Sequence, residues 1–257
     1  MYAVRAFCLI RKEPFYRRNA FEQGLKRVGF TLINDHFIPK SNTDFLIIWN
    51  KKRGAEETMA DEWQRRGGMV IVTENGYLQR VDKTYYAISV NGHNGSGWWP
   101  MNLGEDRFSK LGFDLKPWRT FSLNGYRLVC GQRSIGSSLM ASPPQWAEKK
   151  AAELSNRGFT VRLRPHPGNF APKIPLEKDL AGANECFIWS SGAGVRALVE
   201  GVPVHYSAPH WICEDGSSEG RTMVLNRMAH AQWHHEEIST GEPFKRILND
   251  SRITKEK

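Results

Sequence analysis

Two stretches in the second half of the chain place polar groups where an anion could be held. Val161-Arg-Leu-Arg is a short apolar-alternating run that stops at Arg164-Pro165-His166-Pro167. Cys186-Phe-Ile-Trp runs into Ser190-Ser191-Gly192-Ala193-Gly194 and then a helical pattern up to Glu200. A guanidinium offers forked donors, an imidazole one more, and a helix amino end offers unpaired N–H groups. Together Arg164, His166, Ser190, Ser191 and Gly192 suit a phosphate. A third stretch, Gly131-Gln-Arg-Ser-Ile-Gly136, follows the apolar run Tyr126–Cys130 and adds Arg133. It lacks the Gly-Lys-Ser/Thr ending of a P-loop and the G-x-G-x-x-G spacing of a dinucleotide turn. A plain turn with a surface arginine also accounts for it, as simple packing between two prolines accounts for His166.

The first half is rich in basic residues at similar positions. Arg11, Lys12, Arg17 and Arg18 bracket Glu13-Pro14-Phe15-Tyr16, and Lys51, Lys52 and Arg53 follow the apolar run Asp44–Trp49. Such clusters are either solvated faces or a rim for a phosphate backbone. Trp98 and Trp99 sit in the glycine-rich stretch 91–100, where they could stack on bases or wedge between them, or plug a core. His210-x-x-Cys213 and His230-x-x-x-His234 depart from zinc-finger spacing, and no metal site is assigned.

The elements that must position these groups alternate. Strands are expected at Ala3–Ile10, Asp44–Trp49, Met69–Thr73, Tyr126–Cys130, Val161–Arg164 and from Cys186, with another opening at Gly201–His205. Helices are expected at Phe15–Val28, Ala55–Arg66, about Pro144 to Arg157, Met223–Trp233 and Glu237–Leu248. This rhythm is that of α/β architecture, in which ligands sit at the carboxyl ends of the strands. Residues 91–118 break the pattern and read as a long loop and connector.

The 257 residues suffice for one large or two small domains, and 40% hydrophobic with 25% charged residues is ordinary for a soluble protein. No apolar run approaches the roughly 18 residues of a membrane span, and a cytoplasmic location is expected. Cys8, Cys130, Cys186 and Cys213 are scattered, and the first three fall in apolar runs, which favours small buried side chains over disulfides. The net charge of +9 with a pI near 9.5 points to a polyanionic partner, unless the chain is simply a basic enzyme.

The basic-residue/His-Pro strand end at Arg164–Pro167 and the Ser-Ser turn with its Gly-x-Pro close at Ser190–Pro203 resemble the sugar-nucleotide domain of GT-B glycosyltransferases. The resemblance is to the capsular-polysaccharide and Kdo-transferase-like group, and it covers about 80 residues. The Gly131–Gly136 turn and the tail from Ala231 to Gly241 resemble, more loosely, small phage-encoded glycosyltransferases. The resemblance implies an α/β fold of two Rossmann-like doubly wound domains facing a cleft. Residues 1–118 would bind acceptor, and residues 119–257, closing helices included, would bind a nucleotide sugar, UDP-linked, as co-substrate without a bound cofactor. It also implies a general base on the N-terminal strand ends, with Glu74 first, then His93 and Glu13. One departure is plain: where the family carries an acid on the helix after the Ser-Ser turn for a ribose, this chain has Arg196. Glu200, one turn on, is the substitute expected.

Three functions follow as expectations. The first is transfer of a sugar to a hydroxymethylated pyrimidine in phage DNA, with Arg11, Lys12, Arg17, Arg18, Lys51, Lys52 and Arg53 on the phosphates and Trp98 or Trp99 filling the gap of an extruded base. The second keeps the enzyme but takes a surface glycan or lipid-linked sugar as acceptor. The third is a non-catalytic DNA- or nucleotide-binding protein on the same scaffold, favoured by Arg196.

Overall fold

Six consecutive residues, Asp44–Trp49, bury nearly everything they carry. A run buried on both faces belongs in the middle of a parallel sheet covered by helices on each side. The computed structural model describes residues 4–78, 84–102, 104–168, 174–214, 216 and 220–254. The chain divides into two units, residues 1–105 with 229–257, and residues 106–228.

In chain order the first unit holds β1 (Arg5–Cys8), α1 (Arg18–Arg27), β2 (Thr31–Leu32), β3 (Asp44–Trp49), α2 (Ala55–Arg65), β4 (Met69–Asn75) and β5 (Tyr85–Val90). The second unit holds α3 (Arg107–Lys110), β6 (Tyr126–Cys130), α4 (Trp146–Asn156), β7 (Val161–Arg164), α5 (Leu176–Ala181), β8 (Ala183–Ile188), α6 (Gly192–Val199) and β9 (Val204–Tyr206). Helix α7 (Arg221–Ala231) leads back to the first unit, followed there by β10 (Gln232–His234), α8 (His235–Thr240), α9 (Glu242–Leu248) and α10 (Ser251–Thr254).

The first sheet has the order β10-β5-β4-β3-β1-β2. Strands β1 to β4 are parallel, and β5 runs antiparallel to both β4 and β10. Alternation along β3 sends Phe45 and Ile47 to one face, against Phe21 and Leu25 of α1 and against Ile238, Phe244 and Ile247 of the closing helices. Leu46 and Ile48 go to the other face, with Ala60 and Trp63 of α2. The second sheet is wholly parallel, ordered β7-β6-β8-β9. Val129 faces Ala147 and Leu154 of α4. Helix α6 lies close to the sheet at Gly194, where a Cβ would meet Ile188 and Trp211. All four cysteines are buried free thiols. Among the described residues no helix is long and apolar enough to cross a membrane.

Four expectations change, one being that Glu237–Leu248 is not a single helix, since Gly241 (φ 87°) parts α8 from α9. The first helix starts at Arg18, not Phe15, because Pro14–Tyr16 form a separate 3-10 turn and Arg17 takes a left-handed backbone (φ 49°) that no helix continues through. The stretch Met223–Trp233 is not all helix, since Gln232 and Trp233 pair with Ala87 and Tyr86 as β10. That pairing carries the closing segment into the first unit rather than the C-terminal domain, and the chain first leaves that unit near residue 105 rather than 118.

The closing segment therefore completes the first unit's core, and α1 meets α8 at Gly24. A Cβ there would run into the Ile238 carbonyl oxygen and touch the Phe244 ring. Gly24→Ala should destabilise the protein by about 2–3 kcal/mol or more, since backbone cannot yield as a side-chain tip can. Urea unfolding of the variant tests this; wild-type stability would mean that α8 does not pack there.

Candidate functional site

In the second unit β6 has neighbours on both sides, and strand order reverses about it. The reversal leaves a crevice outside the carboxyl ends of β6 and β8, the usual ligand position in open α/β sheets. At the end of β6 the Gly131 amide donates to the Arg164 carbonyl at 2.8 Å, fastening this turn to the end of β7. The next residue, Gln132, reaches the other way. Its Nε2 donates to Ser190 Oγ at 3.2 Å, and its Oε1 accepts from the Ser190 amide at 3.1 Å. One side chain thus spans the crevice floor. Gln132 lies inside the Gly131–Gly136 turn, but an uncharged side chain outside any phosphate-loop spacing carries no mark of this role in the sequence.

Ser191 caps α6: its backbone is extended and its Oγ accepts from the Ala193 amide at 3.2 Å. Gly192, Ala193 and Gly194 then make a first turn with no side chain beyond a methyl, so a ligand can approach the amino end of the helix and its dipole. The loop beyond Gln132 is held by Ser134 Oγ on the Ser142 carbonyl (2.7 Å) and by Trp189 Nε1 on the Met140 carbonyl (2.9 Å). Arg133 projects from this loop into solvent, near enough to His166 for its charge to act on the ring. His166 Nδ1 accepts from the Gly168 amide at 2.9 Å, so a neutral ring carries its proton on Nε2 as a donor. Burial first, and the Arg133 charge second, hold the His166 pKa below its ordinary 6.5.

Arg133, His166, Ser190, Ser191 and Gly192 therefore all stand at the strand ends of one unit. Three other residues expected at this site are engaged elsewhere. Arg164 donates to the Ile174 carbonyl at 2.8 Å and pairs with Asp179, which is only 2% exposed and also holds Arg162 at 2.5 Å. A buried carboxylate needs such partners, and Arg164 serves the β7–α5 connection. Arg196 pairs with Glu177 at 3.4 Å and with Glu200 at 3.3 Å, over the Phe113 ring. Glu200 also holds Lys116. It follows the last residue of α6, about 12 Å along the axis from Gly192. It does not replace the missing acid at the crevice.

In the first unit Glu74 lies at the carboxyl end of β4, where its Oε1 accepts from the Tyr77 hydroxyl. That hydroxyl accepts in turn from the Asn94 amide at 3.0 Å. The turn carrying Tyr77 is clamped by buried Gln232 of β10, whose amide bonds Leu78 N at 2.9 Å and Leu78 O at 2.6 Å. His93, 7% exposed, sits in the loop that supplies Asn94, and its Nδ1 has no hydrogen-bond partner among the described residues. Glu13 is exposed before the 3-10 turn, with no side-chain cap.

The basic residues divide sharply. Arg18 binds Glu22 at 2.5 Å and the Ile10 carbonyl at 2.9 Å, Lys51 binds Asp61 at 2.6 Å, and Lys52 lies 3.8 Å from Glu56. Arg11, Lys12, Arg17 and Arg53 are exposed and have no carboxylate partner among the described residues. Trp98 is no free wedge: its backbone bridges Val90, its ring packs on the core, and the Arg252 guanidinium lies over it at 3.8 Å. Trp99 is partly buried, and its carbonyl accepts from Arg252 at 3.3 Å.

Among the described residues no three His, Cys, Asp or Glu side chains gather as metal ligands. His230 contacts the Glu105 carbonyl, His234 caps α8, and Cys213 is buried with its thiol pKa raised.

Two Rossmann-like α/β units, the first with a mixed sheet and the second with a wholly parallel one, make up a GT-B-like fold. Solved structures agree: the beta Kdo 2,7 transferase of Thermosulfurimonas dismutans KpsC is 12% identical, over 96% of this chain and 99% of that one, with a TM-score of 0.53. The beta Kdo 2,4 transferase of the same KpsC is 13% identical, over 90% and 91%, with a TM-score of 0.50. At these identities the likeness is one of fold. No protein-family model matches the chain, and no curated protein matches its sequence.

Because His166 is depressed, its imidazole is neutral at pH 7, and its contribution to stability is complete above pH 6.5 and lost as pH falls through the depressed value. An NMR titration should place its midpoint below 6.5 and show it rising in Arg133→Gln. Added inorganic phosphate should raise it too, by favouring the imidazolium. A wild-type midpoint at or above 6.5 would contradict the geometry.

Proposed function

We propose that this chain is a nucleotide-sugar-dependent glycosyltransferase acting on a glycan, with the donor's phosphate in the crevice of the second unit. The observation that carries this is the convergence of Gln132, Arg133, His166, Ser190, Ser191 and the first turn of α6 at one point of strand reversal. These groups suit a leaving phosphate: one exposed guanidinium, an imidazole Nε2–H, hydroxyls and helix amides. Likeness to Kdo transferases makes an acidic sugar of the Kdo type a candidate for transfer.

In this reading Glu74 is the general base. It takes the proton of the acceptor hydroxyl as that oxygen bonds to the anomeric carbon, and the bond from that carbon to the phosphate oxygen breaks. Negative charge then builds on the phosphate, where Arg133, His166 and the α6 amides stabilise it. Tyr77 and Asn94 fix one carboxylate oxygen, which aims the other.

DNA carrying a hydroxymethylated pyrimidine is the second acceptor to consider. The net charge of +9 and the four cations without a carboxylate partner among the described residues favour it, but of the two expected wedges Trp98 lies under Arg252 and Trp99 is partly buried. For the non-catalytic reading the sequence feature remains, Arg196 in place of the acid, here paired with Glu177 and Glu200.

The test is mass spectrometry of products from a panel of nucleotide sugars, UDP-linked ones first, with oligosaccharides and a hydroxymethylcytosine duplex offered as acceptors. Transfer to saccharide is expected. His166→Ala and Gln132→Ala should lower kcat/KM by about 10²-fold or more, and Glu74→Gln should lower kcat by about 10²–10⁴-fold with nucleotide affinity unchanged. Transfer to the duplex alone would restore the DNA acceptor, and failure of every nucleotide sugar to bind would end the proposal.

A further inference from the structure

The first unit has its own point of strand reversal, between β1 and β3, and four cations with no carboxylate partner among the described residues lie on the loops that leave it. Cys8 pairs with Ile47, and the Leu9 amide donates to the Ile47 carbonyl at 2.8 Å, so the two loops start side by side. Arg11, Lys12 and Arg17 are on the first loop and Arg53 is on the second. The first loop carries Phe15, which is 46% exposed yet fixed in place. Its ring meets Tyr16 and Trp49 edge-on, with centroids 5.3 and 6.3 Å away, and its carbonyl accepts from the Tyr86 hydroxyl at 2.7 Å. Contact with Trp49 lays this loop against the end of β3, where the second loop begins. Arg17 has a left-handed backbone (φ 49°), and its side chain hydrogen-bonds the same Tyr86 hydroxyl, which fixes the guanidinium beside Phe15.

A rigid half-exposed ring flanked by unneutralised guanidinia matches one chemistry well. A sugar presents an apolar C–H face to an aromatic ring, and an acidic sugar adds a carboxylate or phosphate for forked arginine donors. We propose that these loops form an acceptor subsite for a carboxylate- or phosphate-bearing saccharide, with Phe15 against the sugar ring and Arg11, Arg17 and Arg53 around its anionic group. The subsite rests on the glycosyltransferase reading and supplies its acceptor class. A DNA backbone fits less well. It would need a line of free cations to follow successive phosphates, and Arg18, Lys51 and Lys52, which would extend the line, are each bound to a carboxylate.

The experiment measures binding to the full chain of a sialic acid trimer, its carboxyl-reduced counterpart, a phosphorylated disaccharide and a short DNA duplex. A panel of nucleoside mono- and diphosphates is titrated in parallel. The trimer or the phosphorylated disaccharide should bind at least about tenfold more tightly than the reduced trimer, and the tighter of the two names the anion. Phe15→Ala and Arg17→Gly should each weaken that binding about tenfold and leave nucleotide binding unchanged. Glycine accepts the left-handed backbone without strain, so Arg17→Gly should still fold although it loses the hydrogen bond to Tyr86, as its far-UV circular dichroism would show. Equal binding of the acidic and reduced trimers, or no effect of either variant, overturns the subsite. So does duplex binding tighter than both acidic saccharides and lost in the same variants, which assigns the loops to nucleic acid. Nucleotide binding without acidic-saccharide binding sinks the subsite alone, whereas loss of both sinks the glycosyltransferase reading with it.

Discussion

Parallel strand pairing is the constraint from which the rest of the structure follows. Each parallel neighbour must be reached by a crossover over a face of the sheet, so each strand ends at the same edge. In both units the crossovers go to opposite sides of one strand, β1 in the first and β6 in the second, and the loops there part to leave a crevice. The chemistry-bearing residues need no further device to bring them together. Arg133, His166 and Ser191 are 25 or more residues apart in pairs, yet they share an edge because Cys130 pairs with Arg164 on one side and with Ile188 on the other.

What the sequence made legible follows from this. Strands β3 and β4 are nearly continuous apolar runs because both of their faces are covered, and β6 and β8 end in such runs (Leu128–Cys130 and Cys186–Ile188), so each marks its own carboxyl end by the first polar residues after it. Glu74, Arg133 and Ser190 were found in this way. Strands β2, β5 and β10 were not. Two residues of β2 carry no pattern. Gln232–His234 extends the helical spacing of α7, and only pairing with Tyr85–Ala87 makes it a strand. Local propensity yields there to a partner about 150 residues away, as it does whenever an edge position is filled from outside.

Charge was the least legible property. The sequence presents seven basic residues at the first unit's strand ends and three cationic candidates, Arg133, Arg164 and Arg196, at the second unit's, but their freedom depends on carboxylates that are close only in space. Asp179 is nearly inaccessible and takes both Arg162 and Arg164, while Glu177 and Glu200 take Arg196. An ion pair neutralises its members at the range over which a ligand would feel them, so a net charge of +9 says little about any one site. Of the basic residues expected to bind anions, Arg11, Lys12, Arg17 and Arg53 on the first unit's loops have no carboxylate partner among the described residues, and Arg133 is exposed at the second unit's crevice.

Those two places differ in kind. The second unit's crevice holds one exposed guanidinium, and its other groups are neutral dipoles fixed beforehand: Gln132 locked on Ser190, Ser191 locked on Ala193, and an imidazole whose Nδ1 is occupied by Gly168. Such a site favours charge that develops during a reaction, because oriented dipoles need no reorganisation and an uncharged imidazole gains a proton's worth of attraction only as the phosphate becomes more negative. The first unit's loops hold four formal charges and an apolar ring, which favour charge already present in the ligand at rest. Each unit thus has a distinct electrostatic character, resting charge on the first unit's loops and oriented neutral dipoles at the second unit's strand ends. Beyond the first turn of α6, Arg196 and Glu200 pair with each other and with Glu177 and Lys116, so these formal charges are neutralised within the unit.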